Sequence, residues 1–235
     1  MNALTETIRA ELRALASPEK AKNSMRFFKV GAGEYAHGDR FLGITVPEQR
    51  LIARLYRDAD LETVKELLYS EFHEYRLTAL FMLTAQFERQ KENRAEIVAF
   101  YHRHIERVNN WDLVDSTAYK ILGRYYFDKD RSPVFQLAEA DDLWQNRIAV
   151  VAGMYWIKKD DFDAVLSIIE KLLHHPHDLM HKANGWMLRE TGKRDVEVLK
   201  NFLNQHAAEM PRTCLRYSIE RLTPEERNFY MNMGG

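Results

Sequence analysis

Apolar residues recur at three- and four-residue spacing along almost the whole chain of 235 residues, and no segment alternates polar with apolar residues as a half-buried strand would. With only 10 glycines and 6 prolines to interrupt it, such a pattern buries its apolar faces by packing helix on helix. The expected fold class is therefore all-α. Leu4, Ile8, Leu12 and Leu15 share one face of a first helix that stops at Ser17-Pro18, where a second helix starts on the proline. The one glycine-rich stretch, Gly31 to Gly43, comes next, and Thr45 then reads as the N-cap of a helix with Pro47 in its first turn, running through Tyr56. Further helices are expected over 60–69, 72–88, 93–107, 111–126, 142–157, 161–173, 178–191, 195–207 and 211–221.

Short helices joined by short links suggest repeated pairs. Arg76-Leu-Thr-Ala, Arg147-Ile-Ala-Val, Lys182-Ala-Asn-Gly and Arg216-Tyr-Ser-Ile each set a basic residue before small or apolar ones, and positions 147, 182 and 216 are 35 and 34 apart. The 71 positions from Arg76 to Arg147 leave room for one more unit, which holds Asp115-Ser-Thr-Ala in register. Five units with Arg, Asp, Arg, Lys and Arg in equivalent places fit an α-solenoid of HEAT-like helical pairs with one concave face, read here as a single domain over 1–235. A basic residue at such a place serves either a ladder of ion pairs, with Asp141, Asp142 and Asp178 at suitable spacing, or a ligand on the inner face. Trp111 and Trp186 lie four residues from positions 115 and 182, on the same helical faces. Core packing accounts for a tryptophan there as well as ligand contact does, but two of them beside a carboxylate and several cations favour a site.

Composition narrows the function classes. The longest apolar run, Ile148 to Ile157, is about half a membrane span, and Glu6, Arg9, Glu11 and Arg13 stand where a signal peptide needs apolar residues, so a cytoplasmic protein with no membrane partner is expected. The single cysteine, Cys214, excludes an internal disulfide and a cysteine-rich zinc site, and its apolar neighbours suggest a buried, inert thiol. A net charge of −1 excludes a generally basic nucleic-acid coat, although residues 1–57 hold 10 basic against 6 acidic side chains. His174, His175, His177 and His181 crowd a helix end without a carboxylate set and read as a solvated link rather than a metal site. Gly31-Ala-Gly33 follows no strand and is not a phosphate loop.

Four motifs in order then carry a resemblance. Phe41-Leu-Gly-Ile with Pro47 and Arg50, Asn110-Trp-Asp-Leu-Val-Asp-Ser116, Trp144-Gln-Asn-Arg147 and Gly185-Trp-Met-Leu-Arg-Glu190 together resemble the AlkD family of bacterial DNA alkylation repair glycosylases over nearly the whole chain. The resemblance implies an enzyme that removes N7- and N3-alkylated purines from duplex DNA without a metal or organic cofactor, gripping the duplex by its backbone so that the lesion need not enter a base pocket. It implies Asp115 as the catalytic carboxylate, Trp111 and Trp186 as the active-site tryptophans and Arg147 as the phosphate contact. Lys182 and Arg76 join Arg147 as further phosphate candidates by repeat position. Thr45 and Arg50 are carried as DNA contacts beside a Gly31–Gly43 loop longer than in the shortest family members. A monomer is expected.

The chemistry agrees with a single carboxylate. An alkylated purine is already cationic and leaves as a neutral molecule, so no general acid is needed, and what remains is the positive charge developing on the sugar, which an ionised Asp115 would stabilise. Asp112 reads as a local polar partner. The alternative is a non-catalytic HEAT-like module binding DNA or a protein, but such a module gains nothing from a carboxylate on its basic face.

Overall fold

Side chains that accept backbone N–H groups fix where the first helices begin. Asn2 does so for α1 (Ala3–Ala14) and Ser17 for α2 (Pro18–Phe27), while at α3 (Val46–Leu55) the Glu48 carboxylate reaches back to the N–H and hydroxyl of Thr45. Asp60 caps α4 (Leu61–Leu68) in the same way. There follow α5 (His73–Arg89), α6 (Arg94–Arg103) and α7 (Trp111–Ala118). Apart from the last residue of α7, these elements belong to one of two compact units in the computed structural model, which describes residues 2–233; the first unit ends at Thr117 and the second begins at Ala118. Within the first unit α5 is central, packed by α3, α4 and α6 and buried on nearly every side, Leu77, Leu80, Leu83 and Phe87 among its core residues.

The chain between α2 and α3 is a clamp rather than a loose loop. Arg40 exchanges backbone hydrogen bonds with Glu71 and His73 around a bridge to Phe72, and the Glu74 carboxylate accepts from the N–H groups of Leu42 and Gly43. Gly43 has φ near +79°, and a Cβ there would lie 2.2 Å from the Ser17 carbonyl oxygen, so only glycine lets this strap lie against the start of α2.

The second unit opens with a π-helical segment, Tyr119–Gly123, whose last carbonyl accepts from the Trp156 indole at 2.8 Å. Then come α8 (Ser132–Glu139), α9 (Leu143–Ile157), α10 (Asp163–Lys171), α11 (Asp178–Arg194), α12 (Val196–His206), α13 (Arg212–Ser218) and α14 (Pro224–Met231). Helix α9 packs on α8, α10 and α11, and α11 packs in turn on α12 and α13. Taken in chain order as α8/α9, α10/α11 and α12/α13, these helices place Arg147, Lys182 and Arg216 on the second helix of each pair, and those second helices pack on one another in turn. Gly185 makes one of these contacts close: a Cβ on it would lie 2.5 Å from the Cys214 carbonyl oxygen.

The fold is all-α, as expected, but two segments break differently and two helices fall outside the expected ranges. The segment read as 93–107 breaks at His104 into α6 and a short 3-10 turn, and 111–126 changes from α7 to the π segment. Helices α8 and α14 were not expected at all; each has eight residues, Pro near its start and little room for a full apolar period. No helix among the described residues is long and apolar enough to cross a membrane.

Candidate active site

Helix α7 carries the most chemistry in the fewest residues. It starts where the buried Asn110 side chain accepts the Trp111 N–H at 2.8 Å, and its far end is tied to α6 by Thr117, whose hydroxyl meets that of Tyr101 at 3.1 Å. Leu113, Val114 and Ala118 turn inward, whereas Trp111 and Asp115, one turn apart, are half-buried. The Trp111 ring stacks on Phe28 with centroids 5.2 Å apart and planes 18° apart, and Phe27, 65% exposed, meets it edge-on at 5.7 Å. Phe28 in turn lies 5.1 Å from Phe41 and 4.9 Å from His73, and Phe41 stacks on His73 at 4.9 Å.

Beneath these rings is a cluster of buried charge that the sequence reading did not contain. His73 presents Nε2 to Asp112 at 2.8 Å and Nδ1 to Asp39 at 3.4 Å. Asp39 also receives Arg76 Nη2 at 2.7 Å and the Asn110 amide at 3.3 Å. Burial alone would push His73 down, but the Asp112 charge and hydrogen bond, with that to Asp39, outweigh it and hold the ring at about 9. Burial would likewise raise Asp39, yet the His73 and Arg76 hydrogen bonds and charges bring it to about 2. Asp112 is a polar partner as expected, but not a local one, since the group it meets is His73, 39 residues back. Asp39 and His73 are 34 residues apart and lie on no common period, so only a paired reading of the glycine-rich loop and the start of α5 could have joined them.

The same geometry bears on the DNA-contact candidates of the first unit. Arg76 is 2% exposed and held by Asp39, so a phosphate could take its guanidinium only by stranding a buried carboxylate; it is an internal ion pair. Thr45 donates its hydroxyl to Glu48 at 2.6 Å and acts as a helix start. Arg50 is exposed, its guanidinium 4.2 Å from the Phe81 ring centroid.

In the second unit, Arg147 is 5% exposed and donates to the Leu179 carbonyl at 2.5 Å. Asp142, expected in an ion-pair ladder, instead caps α9 by accepting from Trp144 and Gln145, and Asp178 pairs with Lys182 of its own helix at 2.7 Å. Lys182 stays partly exposed, and Trp186, one turn further along α11, is half-buried. Arg216 is exposed. His175 and His177 use ring nitrogens to accept the N–H groups of His177 and Leu179 at the start of α11. Cys214 is fully buried, which pushes its thiol up to about 12. No group of three or more His, Cys, Asp or Glu among the described residues is arranged to hold a metal ion.

Comparisons with known proteins bear on the family and the fold. A family model described as DNA alkylation repair enzyme matches residues 8–222. Among solved structures, a predicted DNA alkylation repair enzyme from Enterococcus faecalis is similar with a TM-score of 0.67 and 18% identity, over 89% of this chain and 97% of that one; at that identity the likeness is one of fold. No curated protein matches the sequence.

Proposed function

Because the chain belongs to the DNA alkylation repair enzyme family, we propose that it is an alkylpurine DNA glycosylase, hydrolysing the N-glycosidic bond of cationic N7- and N3-alkylated purines in duplex DNA. The observation that carries this reading is α7, which offers an indole and, one turn later, a carboxylate on a half-buried face, with the indole backed by stacked rings.

The bond from C1′ to the base breaks with its electron pair going to the base, which departs neutral. Positive charge develops on the deoxyribose, water adds at C1′, and its proton passes to Asp115 and on to solvent. An ionised Asp115 beside the sugar both stabilises that charge and orients the water. Trp111 presents a π-face to the cationic nucleotide, and the resemblance gives Trp186 the same role; such a contact contributes about 0.5–2 kcal/mol, while a preorganised electrostatic partner contributes roughly 3–4 kcal/mol, so the carboxylate dominates the rate. Backbone phosphates fall to exposed cations, Lys182 and Arg50 ahead of Arg147, which would first have to release the Leu179 carbonyl.

The test is a set of duplexes carrying one N7-methylguanine, N3-methyladenine, uracil or hypoxanthine, with uncatalysed base loss recorded beside each. The first two should be released, in the order of their spontaneous lability, and the last two retained. Asp115-dependent release of uracil would overturn the mechanism. Duplex binding with no base released from any lesion would leave a non-catalytic helical-repeat module.

A further inference from the structure

We propose that His73 is a positioning residue, fixing the first turn of α7 and with it the Trp111 ring and the Asp115 carboxylate. For its effect on excision the proposal rests on the glycosylase reading above.

Both ring nitrogens of His73 face carboxylates, Asp112 at 2.8 Å and Asp39 at 3.4 Å, and only an imidazolium can donate to both. Asp112 is the residue after Trp111 and three before Asp115, so its bond to His73 anchors α7 at the turn where the candidate site starts. The ring is also the floor of the stack: it touches Phe41 and Phe28, and Phe28 carries Trp111. A shift of His73 is therefore passed to Trp111 by two routes, one through hydrogen bonding and one through ring contact. The imidazolium has an electrostatic role too, since it offsets the Asp112 charge that would otherwise act on Asp115 from three residues back on the same helix. A buried ion pair made only for stability is a poor investment beside apolar packing, so its placement directly under the candidate site calls for a use.

The groups that face His73 are Asp39 from the strap, Arg76 of α5, whose Nη2 lies 3.4 Å from Nδ1, and Asp112 of α7; Arg107, ahead of α7, acts on Asp39 and Arg76. Loss of the imidazolium proton leaves two carboxylates against one guanidinium, and the Asp112 anchor weakens. Excision should therefore fall as the pH rises through about 9, the value at which the ring is held.

The experiment measures single-turnover release of N3-methyladenine from duplex DNA with enzyme in excess, from pH 6 to 10, subtracting uncatalysed loss, for wild type, His73→Gln, Asp112→Asn and the double variant. The expected result is a wild-type rate that declines above about pH 9, a His73→Gln rate at least tenfold lower with no such decline, unchanged duplex affinity at pH 7, and a double variant no slower than the slower single one. His73→Leu, which loses the donor to Asp112, should be slower than His73→Gln. Variants that melt earlier but excise at the wild-type rate below their melting temperature overturn the proposal, as do single losses that simply add. If His73→Gln does not fold, the wild-type pH profile and Asp112→Asn decide. If wild type releases no base, the glycosylase reading has failed, and the positioning role is then read by NMR. Of the nine histidines one should titrate near pH 9, and His73→Gln should shift the Trp111 indole and Asp115 carboxyl signals; unmoved signals overturn it.

Discussion

The two units treat the same repeat position in opposite ways. In the first, the charged side chains beneath α7 satisfy one another: Arg76 with Asp39, Asp39 with His73, His73 with Asp112. In the second, Arg147 turns to a backbone carbonyl and Lys182 to a carboxylate one turn away on its own helix. A network of buried charges resists the loss of any one member, because the others are left desolvated, whereas a solvent-facing pair at i,i+4 contributes a few tenths of a kcal/mol. The repeat therefore supplies positions, not roles, and each unit assigns its own.

Removing a member of the first network should break the contrast most visibly. Arg76→Ala leaves Asp39 buried with only His73 and Asn110 and should cost about 3–5 kcal/mol in urea unfolding; a cost near that of an exposed arginine would show that the cluster is wet. Next is Asp115→Asn, which keeps the volume and removes the charge: excision should drop about 100- to 1000-fold in single turnover, while duplex affinity stays within error.

The pH dependence of stability probes the first network as well. His73 is raised above its unfolded value of 6.5, so its contribution is complete below that pH and is lost as the pH climbs through about 9, on the order of 3 kcal/mol in all. Asp39 is held below 3.8, so its contribution persists above that value and is lost as the pH falls through about 2. Thermal melts between pH 7 and 10 should therefore show a decline that His73→Gln abolishes. Gly185→Ala, which drives a methyl toward the Cys214 carbonyl, should cost about 1–3 kcal/mol and lower excision through the adjacent Trp186. The smallest effect belongs to Lys182→Ala: stability should change by less than about 0.5 kcal/mol, while the slope of log K against log salt for duplex binding flattens by about one unit.

Local signals made much of the fold legible. Ser17-Pro18 and Thr45 carry their helix starts in two or three residues, and the 34- to 35-residue spacing located the second helix of each pair in the second unit. Helix α14 shows the limit, for Thr223 and Glu226 form a capping box that lacks a long apolar period behind it. In the candidate site, Trp111 and Asp115 were legible because one turn of one helix holds both. The Asp39–His73–Asp112 link was not, since its members are 34 and 39 residues apart and come from a strap, a helix start and a second helix start. In the sequence, Arg76 stays open between ion pair and phosphate contact for the same cause: its repeat position is visible there, but the aspartate that claims it is not.

The burial of Cys214 makes the second unit report on itself. Of 235 residues it is the one thiol, and it has no exposed surface. An alkylating reagent can reach it only when the packing around α13 opens, so the labelling rate at fixed reagent measures how often that happens under native conditions. The same protein labelled with and without damaged duplex would then show, without any engineered probe, whether DNA holds the second unit shut.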